Sequence, residues 1–225
     1  MTGRFETHEI GRRSAQTLYY AAETAEKIGL PLNTWVTITF KETNADPKEA
    51  TKIFSKIRQR FQKWATRSSK KRPETFETAW AFAFENVANG KHFETLDSND
   101  EHNIHVHWAV HIPPNRKHEF EDYFFNLVDE VTGGIINEKT AVKYDDTFKN
   151  PTLSYLSKGT KKQFIKIYGR GREAEPQGII LGRRADVSRN IGPKVRRALD
   201  KKNKIVRHIP LSDFYTPKGQ QSLPI

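Results

Sequence analysis

Asn103-Ile104-His105-Val106-His107-Trp108-Ala109-Val110-His111-Ile112 organises this chain of 225 residues. Apolar residues recur at every second position, the period of a strand with one buried face. Side chains alternate across a strand, so Ile104, Val106, Trp108, Val110 and Ile112 share one face. His105, His107 and His111 share the other, together with the small Ala109. Imidazoles at i and i+2 stand on neighbouring sites of one sheet face, close enough to bind a single divalent metal. A solvated polar face rich in histidine gives the same pattern, and for an isolated His-x-His that is the better reading. The surrounding segments decide between the two.

Before it, Trp35-Val36-Thr37-Ile38-Thr39-Phe40 alternates as a strand. Asp46 caps a helix that has Pro47 at its first position. Ala50, Ile53, Phe54, Ile57, Phe61, Trp64 and Ala65 then fall on one helical stripe, ended by Lys70-Lys71-Arg72-Pro73. Residues 78–87 form another strand. After the histidine strand, Pro113-Pro114 leads into an amphipathic helix over 115–131, stopped by Gly133-Gly134, and a weaker strand near Ala141–Tyr144. Asn150 and Pro151 begin a short helix with Gly159 at its exit, and residues 14–28 form a helix near the start. The order predicts an α+β chain with a ferredoxin-like βαββαβ antiparallel sheet, helices on one face, and a further catalytic helix. Val36, Ile38, Phe40, Trp80, Phe82 and Phe84 suit the covered face. Thr37, Thr39, Ala81, Ala83, Glu85, His105 and His107 then line a second face, expected to be open and to receive a substrate.

Without cysteine the chain has neither disulfides nor thiolate zinc sites. No apolar run has the length of a membrane span, and Met1–Arg13 lacks a signal peptide's apolar core, so a soluble, cytoplasmic protein is expected. The net charge of +11 is segregated: residues 156–207 carry sixteen Lys and Arg against four acids, the remainder twenty-two against twenty-three. Such a block is the electrostatic footprint of a polyanionic partner. It has no broad apolar face suited to a membrane surface.

Glu85 ends the small-residue face of its strand, and the next strand is the histidine strand. Two imidazoles and a carboxylate form a mixed N/O site suited to Mg²⁺ or Mn²⁺. An ordinary strand-end carboxylate in water is the competing reading of Glu85. His111 is the alternative third ligand, but it lies further along the strand, which favours Glu85. Downstream, Tyr155 and Lys158 are three residues apart and share one helical face; alone, such a pair is commonplace.

Taken together, Thr37-Ile38-Thr39-Phe40, His105-Val106-His107 and Tyr155-Leu156-Ser157-Lys158 resemble the ordered motifs of the HUH endonuclease superfamily, closest in layout to its rolling-circle replication initiators. The resemblance covers roughly residues 34–160. No second tyrosine lies four residues from Tyr155, which matches the single-tyrosine type. The resemblance implies site-specific nicking and rejoining of single-stranded DNA or an origin hairpin, initiating rolling-circle replication. Tyr155 would be the nucleophile forming a 5′-phosphotyrosine, Lys158 its charge-stabilising partner, and His105, His107 and Glu85 the metal ligands. A host helicase or polymerase would be a partner.

Residues 1–160 are thus read as the nicking domain, with its N-terminal helix. Residues 161–225 are read as a basic DNA-binding extension, partly disordered beyond about residue 208. Expected DNA contacts are Thr37, Thr39, His111, Lys161, Lys162, Arg170, Arg172, Arg183, Arg184, Arg196 and Arg197. A basic helix is expected within Ser188–Lys202. Competing readings are a transposase or mobilisation relaxase with the same chemistry, a non-catalytic DNA-binding protein with structural histidines, and a metal-dependent hydrolase without a covalent intermediate.

Overall fold

The computed structural model describes residues 5–68, 74–88, 91–92, 102–145, 155–169 and 174–207. Its elements in chain order are β1 (Glu6–Thr7), α1 (Arg12–Lys27), β2 (Thr34–Thr39), α2 (Ala50–Thr66), β3 (Trp80–Ala88), β4 (Lys91–His92) and β5 (Ile104–Val110). They continue as α3 (Lys117–Thr132), α4 (Glu138–Ala141), β6 (Val142–Asp145), α5 (Lys162–Tyr168), β7 (Ile180–Leu181), β8 (Ala185–Val187) and α6 (Pro193–Lys202). The chain is α+β, with an antiparallel sheet in the order β4-β3-β5-β2-β6, and β8 also pairing with β3. The histidine strand β5 is therefore central. Its register sets Glu85 opposite His105 on one side and Thr39 opposite it on the other.

Alternation along the three central strands divides the core in two. Val36, Ile38, Phe82, Phe84, Val106 and Trp108 face α2 and α3. Asp46 accepts a hydrogen bond from the Lys48 backbone N–H at 2.8 Å, and a 3-10 turn over Pro47–Glu49 then feeds α2. The stripe of α2 buries Phe54, Ile57, Phe61 and Trp64, while α3 buries Phe120, Phe124, Leu127 and Val128. Trp108 is wholly buried among them, edge-on to Phe54 and Phe61 at 5.8 and 5.0 Å. A side chain of this size accounts for much of the burial that holds a helix pair on a sheet. Gly133, at φ 79°, ends α3 in the left-handed region that a side chain disfavours.

The second face is not open as the sequence predicted. Ala81, Ala83, Ala109 and Ala185 form a shallow surface on which α1 lies through Ala15, Leu18, Ala21, Ala22 and Ala25. Small residues on both partners let helix and sheet backbones approach closely, so the alanines serve packing there. The basic C-terminal part is built into the same body: β8 extends the sheet beside β3, and β7 pairs with β1. α6 forms inside the span expected for a basic helix. Asn150 and Pro151, the Lys70–Pro73 breaker and everything beyond residue 207 lie outside the described residues. No helix among the described residues is long and apolar enough to cross a membrane.

Candidate metal and nucleophile centre

On the second face of the sheet, Glu85, His105, His107, Tyr155 and Lys158 meet. Glu85 and His105 come together because their strands pair them directly, and His107 follows two residues on along β5. Tyr155 and Lys158 arrive from a different part of the chain. Residues 155–157 form a 3-10 turn, with Lys158 N–H donating to the Tyr155 carbonyl at 3.2 Å and Thr160 N–H to the Ser157 carbonyl at 2.9 Å. In that geometry residues i and i+3 eclipse, which sets Tyr155 and Lys158 on one side. Leu156, buried between them in sequence, anchors the turn in the α1-side core.

The contacts converge on one oxygen. Glu85 Oε2 lies 2.7 Å from Lys158 Nζ, 3.1 Å from His105 Nε2 and 3.6 Å from His107 Nε2. Lys158 Nζ also donates to the Tyr155 phenol oxygen at 2.7 Å. Glu85 is 2% exposed and His107 8%, so little solvent screens these charges. Burial would push the Glu85 carboxyl up, but the adjacent His105 and His107 hold it well below the usual carboxylate range. Burial pushes the His107 imidazole down, and it outweighs the attraction of Glu85. For Lys158 burial is outweighed: the Glu85 charge and the hydrogen bonds to Glu85 and Tyr155 raise its pKa, so it stands as an ammonium.

Neighbouring groups orient both imidazoles. His105 Nδ1 lies 2.9 Å from the Asn103 carbonyl oxygen, which can only accept, so Nδ1 carries a hydrogen and Nε2 faces Glu85. His107 Nδ1 contacts Thr37 Oγ1 at 2.9 Å, and Trp35 stacks on the His107 ring at 5.3 Å between centroids. Among the described residues, His107 Nε2 is buried without a hydrogen-bond partner. One ligand atom from each of Glu85, His105 and His107 lies within 4.8 Å of the others, so the group is positioned to bind a metal ion. The orphaned nitrogen and the N/N/O donor set both fit that role, since a buried polar atom without a partner is costly unless something meets it.

The remaining candidates are scattered. His111 is remote from the cluster, with Nδ1 2.8 Å from the Pro31 carbonyl oxygen. Thr37 touches His107, and Thr39 lies opposite His105 in the sheet. Arg184, expected on DNA, is instead 2% exposed and donates to the carbonyls of Phe84 at 2.9 Å, Thr7 at 2.7 Å, Gln177 at 3.2 Å and Gly178. A guanidinium presents its donors in one plane, and here the two terminal nitrogens serve carbonyls of three chain segments. Arg196 packs over Tyr20 at 4.5 Å, and Arg183 pairs with Asp186. Lys161 lies 3.7 Å from Glu9, while Lys162 and Arg197 are exposed. Arg170 and Arg172 lie outside the described residues. Trp35 and Asn103 were not singled out from the sequence. The signal for Trp35 was its place in alternation with Thr37 and Thr39 on the histidine side.

No family model matches the chain, and no curated protein or solved structure matches it.

Proposed function

We propose that this protein is a metal-dependent, single-tyrosine nicking and rejoining enzyme of the HUH endonuclease type, acting on single-stranded DNA to initiate rolling-circle replication. The observation that carries the reading is the ammonium of Lys158, which touches both the Tyr155 phenol oxygen and the carboxylate of the Glu85/His105/His107 group. A tyrosine and a histidine pair far apart in sequence thereby share one reaction-sized space. The strand order β6-β2-β5-β3, with α2 and α3 on one face, supports the ferredoxin-like reading of the sheet.

In this reading Tyr155 Oη attacks a backbone phosphorus. The new O–P bond forms as the bond to the 3′ oxygen breaks, leaving the 5′ phosphate on the tyrosine and a free 3′-hydroxyl. Lys158 offers positive charge to the phenolate as it forms, at a distance already suited to a charge-assisted hydrogen bond. A divalent Mg²⁺ or Mn²⁺ held by Glu85, His105 and His107 would supply Lewis-acid polarisation of the phosphate. Thr37 and Trp35 keep the His107 ring in place, and Asn103 does the same for His105. The covalent link conserves the phosphodiester bond energy, so attack by a 3′-hydroxyl on the tyrosyl phosphate rejoins a strand.

The test is a denaturing gel of labelled single-stranded oligonucleotides incubated with the protein and Mn²⁺. A covalent adduct is expected, and it should vanish in Tyr155→Phe while DNA binding persists. Binding without an adduct would make the histidines structural, and free products without an adduct would make the protein a hydrolase.

A further inference from the structure

A cleft of about 470 Å³ lies between the start of α1, β8 and the start of α6. Among the described residues its walls carry Arg13, Arg183, Arg189 and Lys194 against a single acid, Asp186, which Arg183 already engages. Arg13, Arg189 and Lys194 are exposed and make no ion pair among the described residues. Arg13 is far in sequence from the other three, and the packing of α1 against β8 and α6 brings it to them. Of the four, only Arg183 was marked by the sequence as a DNA contact.

The rest of the lining narrows the ligand. Ser14, Thr17 and Ser188 add hydroxyls, and among the described residues no aromatic ring lines the cleft. Unpaired bases are held largely by stacking on rings, so the cleft has little to offer them. Phosphate oxygens, in contrast, are met by Arg, Lys, hydroxyl and backbone N–H groups. The first turns of α1 and α6 contain no acidic residue, so nothing there opposes an anion. We propose that this cleft is a second nucleic-acid site, apart from the Tyr155 centre, that grips the phosphodiester backbone of double-stranded DNA flanking the nicked strand. The choice of DNA rests on the proposed nicking function; the preference for a duplex rests on the cleft itself.

The experiment uses the full chain in EDTA, carrying Tyr155→Phe, so that neither metal nor cleavage enters. Fluorescence anisotropy across a salt series compares a fully paired, blunt-ended DNA with an unpaired strand of equal length. Combined Arg13→Ala, Arg189→Ala and Lys194→Ala should weaken duplex binding at least about tenfold and flatten its log–log salt slope by roughly 2 to 3, since each contacted phosphate contributes about −0.9. A charge-matched set on the exposed side of α2 and at the residue that ends it, Lys56→Ala, Lys63→Ala and Arg67→Ala, should change it far less. Thermal melting checks that both sets fold. The proposal is overturned if the duplex is not bound, if the cleft set leaves it unchanged, if the α2 set costs as much, or if the loss falls on the unpaired strand. Failure of the nicking reading is a separate result: no adduct on the denaturing gel, with duplex binding intact.

Discussion

Lys158 Nζ approaches Glu85 Oε2 to 2.7 Å, nearer than either imidazole nitrogen comes to that oxygen. The ammonium and a metal ion would therefore compete for one carboxylate. Lys158→Met keeps the apolar stem and removes the charge. It should tighten Mn²⁺ binding by about tenfold, equivalent to about 1.4 kcal/mol, while slowing single-turnover cleavage by roughly a hundredfold or more. Calorimetry and rapid-quench kinetics read the two effects. Metal affinity that falls with the rate would mean Lys158 only supports the fold of the site.

Metal binding should divide the histidines. Glu85→Ala, His105→Ala and His107→Ala are expected to lose calorimetrically detectable Mn²⁺ binding. His111→Ala should keep it, because His111 Nδ1 is engaged by the Pro31 carbonyl away from the cluster. Retention in Glu85→Ala with loss in His111→Ala would reverse the ligand assignment.

The metal-free protein should lose stability in acid in two stages. Folded His107 resists protonation, whereas an unfolded histidine titrates near ~6.5, so below that pH the unfolded state binds a proton that the native state refuses. The depressed Glu85 carboxyl acts in the same direction lower down: its contribution is complete above the unfolded value near ~4.3 and declines as the pH falls toward its folded one. Lys158 works at the alkaline end, where its raised pKa makes its contribution complete below ~10.4 and lost as the pH climbs through the folded value. Urea midpoints in EDTA from about pH 2 to 12 should show this shape. His107→Phe should remove the stage that sets in as the pH falls below about 6.5, and a stage that survives belongs to another histidine.

Arg184→Met should destabilise the protein by about 3 kcal/mol or more, because the carbonyls it serves stay buried without it. Arg197→Ala, on the exposed side of α6, should cost less than about 0.5 kcal/mol. Urea unfolding of both variants measures the contrast. Equal losses would mean that Arg184 is not the clamp its contacts describe.

Strand alternation made the bulky face legible, together with the meeting of Glu85 and the two histidines, because a period of two residues fixes which side chains share a face. The Tyr155–Lys158 spacing was legible for a similar reason, although a single 3-10 turn delivers it within the described residues. The cover over the alanines was not legible. Ala81, Ala83 and Ala109 read equally well as a substrate floor or as a bed for a helix, and only the docking of α1 decides. Charge counting likewise cannot separate Arg184, enclosed by carbonyls, from the exposed Arg197. The two differ in what the distant chain brings to them.

β8 and Arg184 also constrain the order in which the molecule can be made. β3 obtains its partner β8, and the carbonyls of Thr7 and Phe84 their guanidinium, only after more than three quarters of the chain has been synthesised. Until then part of β3 is an open strand edge able to pair with another chain. Contacts of such long sequence separation form late and slow the search for the native state. During translation the histidine strand therefore waits for its distant supports while an aggregation-prone edge stands exposed. A fragment ending at residue 160 would remain in that condition permanently.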